Sequence, residues 1–523
     1  MPLNFKEKRA GVIVPLFSLR TRNSPFIGEI PDLAQAGEWF ASMGQTVIQV
    51  LPIFDMGDFE TSPYSAVSAF AIDPVYLSFS GLPELGEDEV GKAFSDAGLS
   101  AGNCERVDYK AVRVAKKSLL ASVAERFKKN ELVHLTQKGR RFKEFCVSQQ
   151  QWLDPYCLYS ALKESNNHAG WEDWSEGQKH GPLCIDSSLV EQMENRIFVH
   201  RFGQWLAHEQ WLSARAELSR QGIFLMGDLP FTVSRDSADV WAHQDLFDLE
   251  VESGAPPDQY SNTGQNWGLP GYNWNKMQQD DYSWFRARAA RASDLFDLFR
   301  VDHVVGMFRT WTIPRLNGKP HFRPSNKKSQ EEQGKAVLLA MRDASKGGAI
   351  VAEDLGVIPD FVRECMAGLE IPGYKVLRWE RDGDAFKDPA RYPVLSIAAS
   401  GNHDTEPLAI WWEMLSENEK RLFFNLPLLK GRSDSAGLGF CRKVHESILE
   451  VLYKSGSCLA IMPIQDLLAV PDRINVPGTS SRENWTWRLP GTIEDLVSMG
   501  AALSENGVDR ETLKRMVQES GRL

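Results

Sequence analysis

The segment GIFLMGDLP at residues 222–230 is a short apolar run that ends at an acidic residue, Asp228, and this arrangement recurs three times further along the chain. Asp302 follows LFRV, Glu353 follows AIVA, and Asp404 follows VLSIAASGNH. Apolar runs of this length are typical of buried strands, and parallel strands bring their carboxyl ends to one rim of a β/α barrel. We therefore expect the four acidic side chains to lie together at such a rim.

Eight apolar runs in total resemble barrel strands. They are RAGVIVPL (9–16), QTVIQVLPI (45–53), GIFLMGD (222–228), LFRVD (298–302), GAIVAED (348–354), YKVLRW (374–379), VLSIAAS (394–400) and CLAIMPI (458–464). The segment between the first two runs, PDLAQAGEWFASMG, has a helical pattern, so the chain begins with a βαβ unit. Eight strands mostly separated by helices predict a TIM (β/α)8 barrel, an α/β fold with its active site at the carboxyl ends of the strands.

Two long segments interrupt the alternation of strands and helices. Residues from about 84 to 218 are charged and largely helical in pattern, which predicts a helical insertion after strand two. Residues from about 244 to 293 are rich in Gly, Pro, Asn, Tyr and Trp, which predicts an aromatic loop after strand three. The aromatic side chains of this loop, which either pack on the body or form a wall for a ligand, include Tyr260, Trp267, Tyr272 and Trp274. We expect residues 1–523 to form a single elaborated catalytic barrel.

The composition argues against several partners and locations. A formal net charge of -11 lacks the basic surface that binds nucleic acids or anionic membranes, so we expect neither as a partner. The sequence has no run of about 18 apolar residues, which predicts no membrane span. Seven cysteines without CxxC spacing, in a chain with no recognisable secretory signal, indicate reduced thiols and a cytoplasmic protein.

The sequence also lacks the motifs of several common enzyme classes. HExxH, GxSxG, GxxxxGK[ST] and GxGxxG are absent, which argues against metalloproteases, esterases, P-loop NTPases and Rossmann dehydrogenases. No metal-ligand spacing stands out. We expect neither a metal nor an organic cofactor.

The acidic residues differ in their local sequence. Arg300 and Asp302 are two residues apart on a predicted strand, so their side chains share one face. A guanidinium beside Asp302 favours the ionised carboxylate, which suits a nucleophile or a group that stabilises positive charge. Glu353 follows an apolar run, so we expect a raised pKa, as a general acid requires. Retaining glycosidases hold two such carboxyl groups about 5 to 5.5 Å apart.

Further polar residues are candidates for contacts with a sugar. Asp404 is a third carboxylate that could accept hydrogen bonds from hydroxyl groups, and His303 and His403 could donate to them. Asp228 either holds another hydroxyl or supports Arg300, and the sequence leaves both roles open.

Each of these residues also has a purely structural interpretation. A single acid at a strand end is more often a helix cap or an ion-pair partner, and the functional interpretation depends on the whole group. Asp354 should point away from Glu353 and serve as a cap or backbone partner. Trp267 either packs the loop or stacks on a sugar ring, and Tyr64 either pins the loop after strand two or contacts a ligand.

Segments along nearly the whole chain resemble the 4-α-glucanotransferases of the amylomaltase or disproportionating-enzyme type, glycoside hydrolase family 77 in the α-amylase superfamily. The segments that carry this resemblance are SPYSAVSAFAIDP, MGDLPFTVSRDSADVWA, GAPPDQYSNTGQNWG, FRVDHVVGMFRTW, VAEDLGVIP, PGYKVLRW, GNHDT, NVPGT and NWTWR. Together they are far more specific than the four acids alone.

The resemblance implies a TIM barrel without a C-terminal β-sandwich, and a retaining double displacement that needs no cofactor. It implies α-1,4-glucans and maltooligosaccharides as donors, with glucose or a glucan as acceptor. In this pattern Asp302 is the nucleophile, Glu353 the acid/base and Asp404 the transition-state stabiliser. The matching substrate-binding positions are Asp228, Arg300, His303, His403, Tyr64, Trp267 and Asn475.

Two stretches depart from the family pattern. Val304 and Val305 follow His303 where the family usually has Phe-Arg, and Glu406 and Pro407 stand where a polar Asn-Asp-Thr stretch is common. These changes affect what can be expected of donor length, acceptor preference and the balance of hydrolysis and transfer. The alternatives are an α-1,4-glucan hydrolase with the same carboxylates, or a glucan-binding protein without activity.

Overall fold

The computed structural model describes residues 3–100, 105–257, 263–432, 437–499 and 504–522. The strands in these residues are β1 (Arg9–Ile13), β2 (Val47–Gln49), β3 (Phe224–Leu229), β4 (Phe247–Ala255), β5 (Gln265–Tyr272), β6 (Leu298–Val301), β7 (Thr310–Pro314), β8 (His321–Arg323), β9 (Ala349–Ala352), β10 (Gly373–Val376), β11 (Arg381–Asp382), β12 (Ala385–Phe386), β13 (Ser396–Ala399) and β14 (Leu459–Pro463).

Eight of these strands form a nearly closed parallel barrel in the spatial order β10, β13, β14, β1, β2, β3, β6, β9. The two ends of this sheet meet where the Ala352 N–H donates to the Pro372 carbonyl at 3.0 Å. Each of the eight apolar runs in the sequence overlaps one barrel strand. The predicted TIM barrel is therefore confirmed.

The register of the barrel places Asp302 and Glu353 at one level, just past the ends of β6 and β9. Asp228 in β3 lies opposite Arg300 in β6, which in turn lies opposite Val351 in β9. Asp302 and Glu353 each stand two residues further along their strands, so neighbouring strands carry them at the same height. Side chains two apart on a strand share a face, and that face points into the barrel mouth.

The helices of the described residues are α1 (Asp32–Ser42), α2 (Glu87–Asp96), α3 (Tyr109–Phe127), α4 (Gln137–Ser165), α5 (Ser187–Arg220), α6 (Ala238–Ala242), α7 (Trp274–Gln279), α8 (Ser283–Leu295), α9 (Val305–Phe308), α10 (Lys327–Ala344), α11 (Asp360–Gly368), α12 (Leu408–Met414), α13 (Glu417–Phe424), α14 (Arg442–Tyr453), α15 (Ile464–Leu468), α16 (Ile493–Met499) and α17 (Arg510–Glu519). None of the described helices is long and apolar enough to cross a membrane.

The chain between β2 and β3 folds mainly into the helices α2 to α5. Thr136 caps α4 and Asp186 caps α5, because each side chain accepts a hydrogen bond from a backbone N–H of the first helical turn. Phe127 at the end of α3 packs against aromatic rings of α4 and α5, namely Phe142, Phe202 and Trp205. This aromatic cluster holds the three helices together.

A second sheet is antiparallel, in the order β5, β4, β7, β8. Its hairpin of β4 and β5 occupies part of the segment 244–293, where the composition predicts a loop. The prediction of a loop was wrong for these residues, because glycine here serves close strand packing. A Cβ on Gly254 would lie 2.1 Å from the Gln265 carbonyl oxygen, and the register of the two strands shifts at Gly254.

Beyond β14 the described residues form helices and loops, with no further sheet strand among them. The described cysteines are all free, at Cys146, Cys157, Cys184, Cys365, Cys441 and Cys458, whereas Cys104 lies outside the described residues.

Candidate active site

The buried guanidinium of Arg300 contacts three of the four acidic residues. Arg300 Nη1 lies 2.6 Å from the Asp228 carboxylate, and Arg300 Nη2 lies 2.8 Å from Asp302 Oδ1 and 3.9 Å from Glu353 Oε2. The side chain of Asp228 is fully buried, while those of Asp302 and Glu353 remain 21% and 15% exposed. Asp302 and Glu353 therefore approach the same nitrogen and still face the open mouth of the barrel. Asp228 supports Arg300, the second of its two predicted roles.

Glu353 lies in an environment that favours its neutral form. Burial raises the pKa of Glu353 to about 7, and the negative charge of Asp302 acts in the same direction. Arg300 and the His303 backbone N–H, which donates to Glu353 Oε2 at 2.7 Å, oppose this rise in pKa. The raised pKa expected from the apolar run before Glu353 is confirmed, and Glu353 can hold a proton near neutral pH.

Asp404 lies on the loop after β13, which only β10 separates from β9 in the barrel, and it has the opposite ionisation behaviour. Burial alone would raise the pKa of Asp404, but His403 and a hydrogen bond from Asn475 lower it to about 2. Asn475 Nδ2 donates to Asp404 Oδ1 at 2.6 Å, and His403 Nε2 lies 3.3 Å from Asp404 Oδ2. Asp404 is thus held as a carboxylate, with its side chain 38% exposed to the cleft.

A chain of polar contacts through Tyr64 joins the two sides of the site. The Tyr64 hydroxyl donates to Asp228 Oδ2 at 2.8 Å and lies 3.3 Å from His403 Nδ1. The Tyr64 and His403 rings stack with their centroids 4.9 Å apart, and Trp485 contacts both rings. Although burial lowers the pKa of His403, Asp404 raises it more, so the net shift is upward. Tyr64 therefore belongs to the site.

Aromatic rings cover the Glu353 side. The Trp267 ring centroid lies 4.8 Å from that of His303, and Phe231 contacts both rings edge-on. Burial lowers the pKa of His303 to about 4, so its imidazole is neutral at physiological pH. His303 has a backbone φ of 46°, a left-handed conformation that directs its N–H at Glu353.

The aromatic residues predicted to form a wall divide into two groups. Trp267 is half-buried and borders the site through His303. Tyr272 is buried and donates to the Phe231 carbonyl at 2.6 Å, and Trp274 stacks on Phe285, so these two pack on the body. Tyr260 lies outside the described residues.

Asp354, next to Glu353 in sequence, is a structural residue, as predicted. Its Oδ1 accepts a hydrogen bond from the Tyr374 N–H at 2.7 Å, and its Oδ2 pairs with Arg363 at 3.0 Å. Asp354 thereby ties β9 to β10. Val304 and Val305, which form one of the two departing stretches, are buried, and the Val304 N–H donates to the Glu353 carbonyl oxygen at 3.2 Å.

Sequence reasoning missed three residues at the site: Phe231, Arg473 and Trp485. Phe231 lies three residues after Asp228, just past the end of β3, and this position was a usable signal. Trp485 and Arg473 flank the segment that contains Asn475, and only the closure of the chain brings this segment next to Asp404. Among the residues that the structure describes, no group of three or more His, Cys, Asp or Glu side chains could hold a metal ion.

The geometry suits cleavage of a glycosidic bond. It combines a proton-holding acid, a carboxylate paired with an arginine, and a third carboxylate across an open cleft at the carboxyl rim of a parallel barrel. The fold and these side chains together define the class of barrel enzymes that act on carbohydrates.

Comparison with known proteins specifies the family. The family described as "4-alpha-glucanotransferase" matches residues 14–494. The 4-alpha-glucanotransferase of Chlamydia muridarum is 34% identical over 503 residues, which cover 93% of this chain and 92% of that protein. The 4-alpha-glucanotransferase of Chlamydia pneumoniae is 33% identical over 502 residues, with the same coverage.

A solved structure shows the same fold. The amylomaltase from Streptococcus agalactiae in complex with acarbose matches with a TM-score of 0.79 at 23% identity, and the match covers 99% of this chain and 100% of that one. The chain belongs to the 4-alpha-glucanotransferase family, and its activity is glucan transglycosylation.

Proposed function

We propose that the enzyme transfers a segment of an α-1,4-glucan to the 4-hydroxyl of an acceptor by a retaining double displacement. In this proposal Asp302 is the nucleophile, Glu353 the general acid/base and Asp404 the stabiliser of the transition state. The observation that carries the proposal is the shared contact of Asp302 and Glu353 with Arg300 Nη2, combined with a pKa of about 7 for Glu353. Such a pair places a nucleophile beside a proton donor on neighbouring strands.

In the first step an Asp302 oxygen attacks the anomeric carbon of the donor. The bond from that carbon to the glycosidic oxygen breaks, and the Glu353 proton moves to the leaving oxygen. The product is a glycosyl ester on Asp302 with inverted configuration. The ion pair with Arg300 directs the Asp302 carboxylate towards the reacting carbon.

In the second step the roles of acid and base reverse. Glu353, now a carboxylate, takes the proton of the acceptor hydroxyl while the acceptor oxygen attacks the anomeric carbon and expels Asp302. Two inversions give net retention. Because one glycosidic bond replaces another, the transfer needs no activated donor.

Asp404 and its neighbours favour the distorted, positively charged ring of the transition state. Asp404 is ionised throughout the physiological pH range, since its pKa is about 2. A fixed carboxylate stabilises the developing oxocarbenium charge and accepts hydrogen bonds from ring hydroxyls. The proposed sugar contacts are Tyr64, Arg300, His303, His403, Trp267 and Asn475, and Asp228 supports Arg300.

Transfer exceeds hydrolysis if an acceptor sugar occupies the site before water does. Trp267 provides a flat apolar surface beside His303 that suits the C–H face of a pyranose. The proposed substrates are α-1,4-glucans and maltooligosaccharides, with glucose or a glucan as acceptor.

The proposed location is the cytoplasm. The cysteines in the described residues are free thiols, which suits a reducing compartment.

The test is incubation of the purified protein with maltotriose, without phosphate or nucleotide, followed by separation of the products by chain length. We expect glucose and a ladder of longer maltooligosaccharides, and neither with Asp302→Asn. Glucose and maltose alone would indicate a hydrolase. No turnover on maltotriose or longer glucans would contradict the proposal.

A further inference from the structure

Arg473 joins the two segments that hold the third carboxylate. Its Nη2 donates to the Asp404 carbonyl oxygen at 2.8 Å, and its Nη1 pairs with Glu406 Oε1 at 2.9 Å. Its Nε donates to the Asn475 carbonyl oxygen at 3.1 Å. All three guanidinium nitrogens are therefore in use, two on the loop that carries Asp404 and one on the segment that carries its partner Asn475.

Side chains also support this loop, since His403 stacks on Tyr64 with the ring centroids 4.9 Å apart. The Asp404 backbone N–H donates within the loop, to Asn402 Oδ1 at 3.0 Å, and this bond does not tie the loop to another part of the protein. Arg378 donates to the carbonyl oxygens of Ser400 and Glu406 at 2.9 Å, which fixes the two ends of the loop. The contact of Arg473 with Asp404 fixes its middle.

We infer that Arg473 is a positioning residue for glucan transfer: it sets the distance between the Asp404 carboxylate and its hydrogen-bond donor Asn475, and Glu406 orients it. Glu406 lies in one of the two stretches at which this chain departs from the family pattern. A planar guanidinium holds three acceptors in a fixed geometry that a lysine cannot reproduce. This inference rests on the proposed role of Asp404.

In this role Arg473 acts through Asp404 and does not take part in the chemical step itself. Arg473 contacts the backbone of Asp404 and not its carboxylate, so its loss leaves the charge of Asp404 in place. What changes is the orientation of that charge towards the sugar. A misplacement of about 1 Å can cost about 100-fold in rate, and such a cost affects kcat more than KM because the aligned carboxylate matters most in the transition state.

The first experiment compares kcat and KM for maltotriose disproportionation in Arg473→Ala, Arg473→Lys and wild-type enzyme. We expect kcat to fall by about 100-fold in Arg473→Ala and by about 10-fold in Arg473→Lys, with KM changed by less than about threefold. The matched control is Arg201→Ala, which removes an ion pair of the same length (2.9 Å to Asp154) between helices α4 and α5. We expect kcat of the control to stay within about twofold of wild type.

Melting temperatures of Arg473→Ala and Arg201→Ala distinguish positioning from unfolding. Both ion pairs are partly exposed, so we expect both variants to remain folded with similar small decreases in melting temperature. A kcat that stays within twofold of wild type in Arg473→Ala would overturn the inference, as would an equal loss of kcat in the Arg201 control.

A second experiment tests whether Arg473 acts through Asp404. In an Asp404→Asn background, Arg473→Ala should lower the residual rate by less than about threefold, because the carboxylate that it positions is already gone. A full 100-fold loss in that background would show an independent role and overturn the inference. If Asp404→Asn itself retains wild-type activity, the proposed role of Asp404 fails instead, and the two failures are distinguishable.

Discussion

Glu353 and Asp404 are acidic residues at the same barrel rim, and the two sides of the site affect them in opposite directions. On the side of β6 and β9, burial and the charge of Asp302 raise the pKa of Glu353 to about 7. On the side of β13, His403 and Asn475 outweigh burial and lower the pKa of Asp404 to about 2. Burial is common to both, so the partners decide the protonation state.

The surroundings of the two residues differ in the same way. The Glu353 side is covered by Trp267, Phe231 and the neutral ring of His303. The Asp404 side is more exposed, and the partners of Asp404 are its sequence neighbour His403 and the distant Asn475. This difference gives one enzyme a proton donor and a permanent carboxylate at the rim of a single barrel.

The largest expected effect tests the proton donor. Glu353→Gln should lower kcat for maltotriose by about 10,000-fold, because the leaving oxygen then receives no proton. The matched control is Glu364→Gln, an exposed position on α11, which we expect to have the wild-type rate. Steady-state kinetics measure both. A loss of less than about tenfold in Glu353→Gln would contradict the assignment of Glu353 as the proton donor.

The next effect tests the permanent carboxylate. Asp404→Asn should lower kcat by about 1,000-fold, since the amide carries no charge to stabilise the transition state. Asp384→Asn removes an exposed carboxylate outside the site and serves as the control. If Asp404→Asn raised KM and left kcat unchanged, Asp404 would only bind the ground state, and its assigned role would be wrong.

The pH dependence of kcat/KM tests Glu353 and Asp404 in one experiment. Glu353 must be protonated for the first step, so kcat/KM should fall as the pH rises through about 7, by about 50-fold between pH 7 and pH 9. Asp404 stays ionised until the pH approaches 2, so it should not limit activity between pH 4 and pH 7. A pH profile of kcat/KM checks both limbs. An alkaline limb centred below pH 5 would contradict the raised pKa of Glu353.

The smallest effect concerns the aromatic cover. Trp267→Ala should raise the ratio of hydrolysis to transfer by about threefold and shift the alkaline limb to lower pH, because water reaches the Glu353 side more easily. Trp274→Ala removes the same side chain from the same segment at a position that packs on Phe285, away from the site. The ratio of hydrolysis to transfer is measured from the products of maltotriose. An unchanged ratio in Trp267→Ala would show that Trp267 does not exclude water.

The sequence predicted the parts of the site that depend on local pattern. Apolar runs located all eight barrel strands, and the spacing of Arg300 and Asp302 predicted their shared face. The apolar run before Glu353 predicted the direction of its pKa shift. Alternation along the strand predicted that Asp354 points away from Glu353. These properties follow from a few consecutive residues.

The remaining features depend on contacts between distant segments. Asn475 was identified only through the resemblance to the family, because nothing in its local sequence places it 2.6 Å from Asp404. Arg473 was missed for the same reason. The antiparallel strands β4 and β5 were hidden by the glycines and prolines that their close packing and bulges require.

The most direct test of the division between nucleophile and acid/base uses Glu353→Gln and α-maltotriosyl fluoride. Fluoride leaves without a proton, so the first step proceeds, and the missing base stalls the second step. The account predicts a maltotriosyl ester on the Asp302 peptide by mass spectrometry, and its release as a glycosyl azide when azide is added. No adduct, or an adduct on another residue, would contradict it.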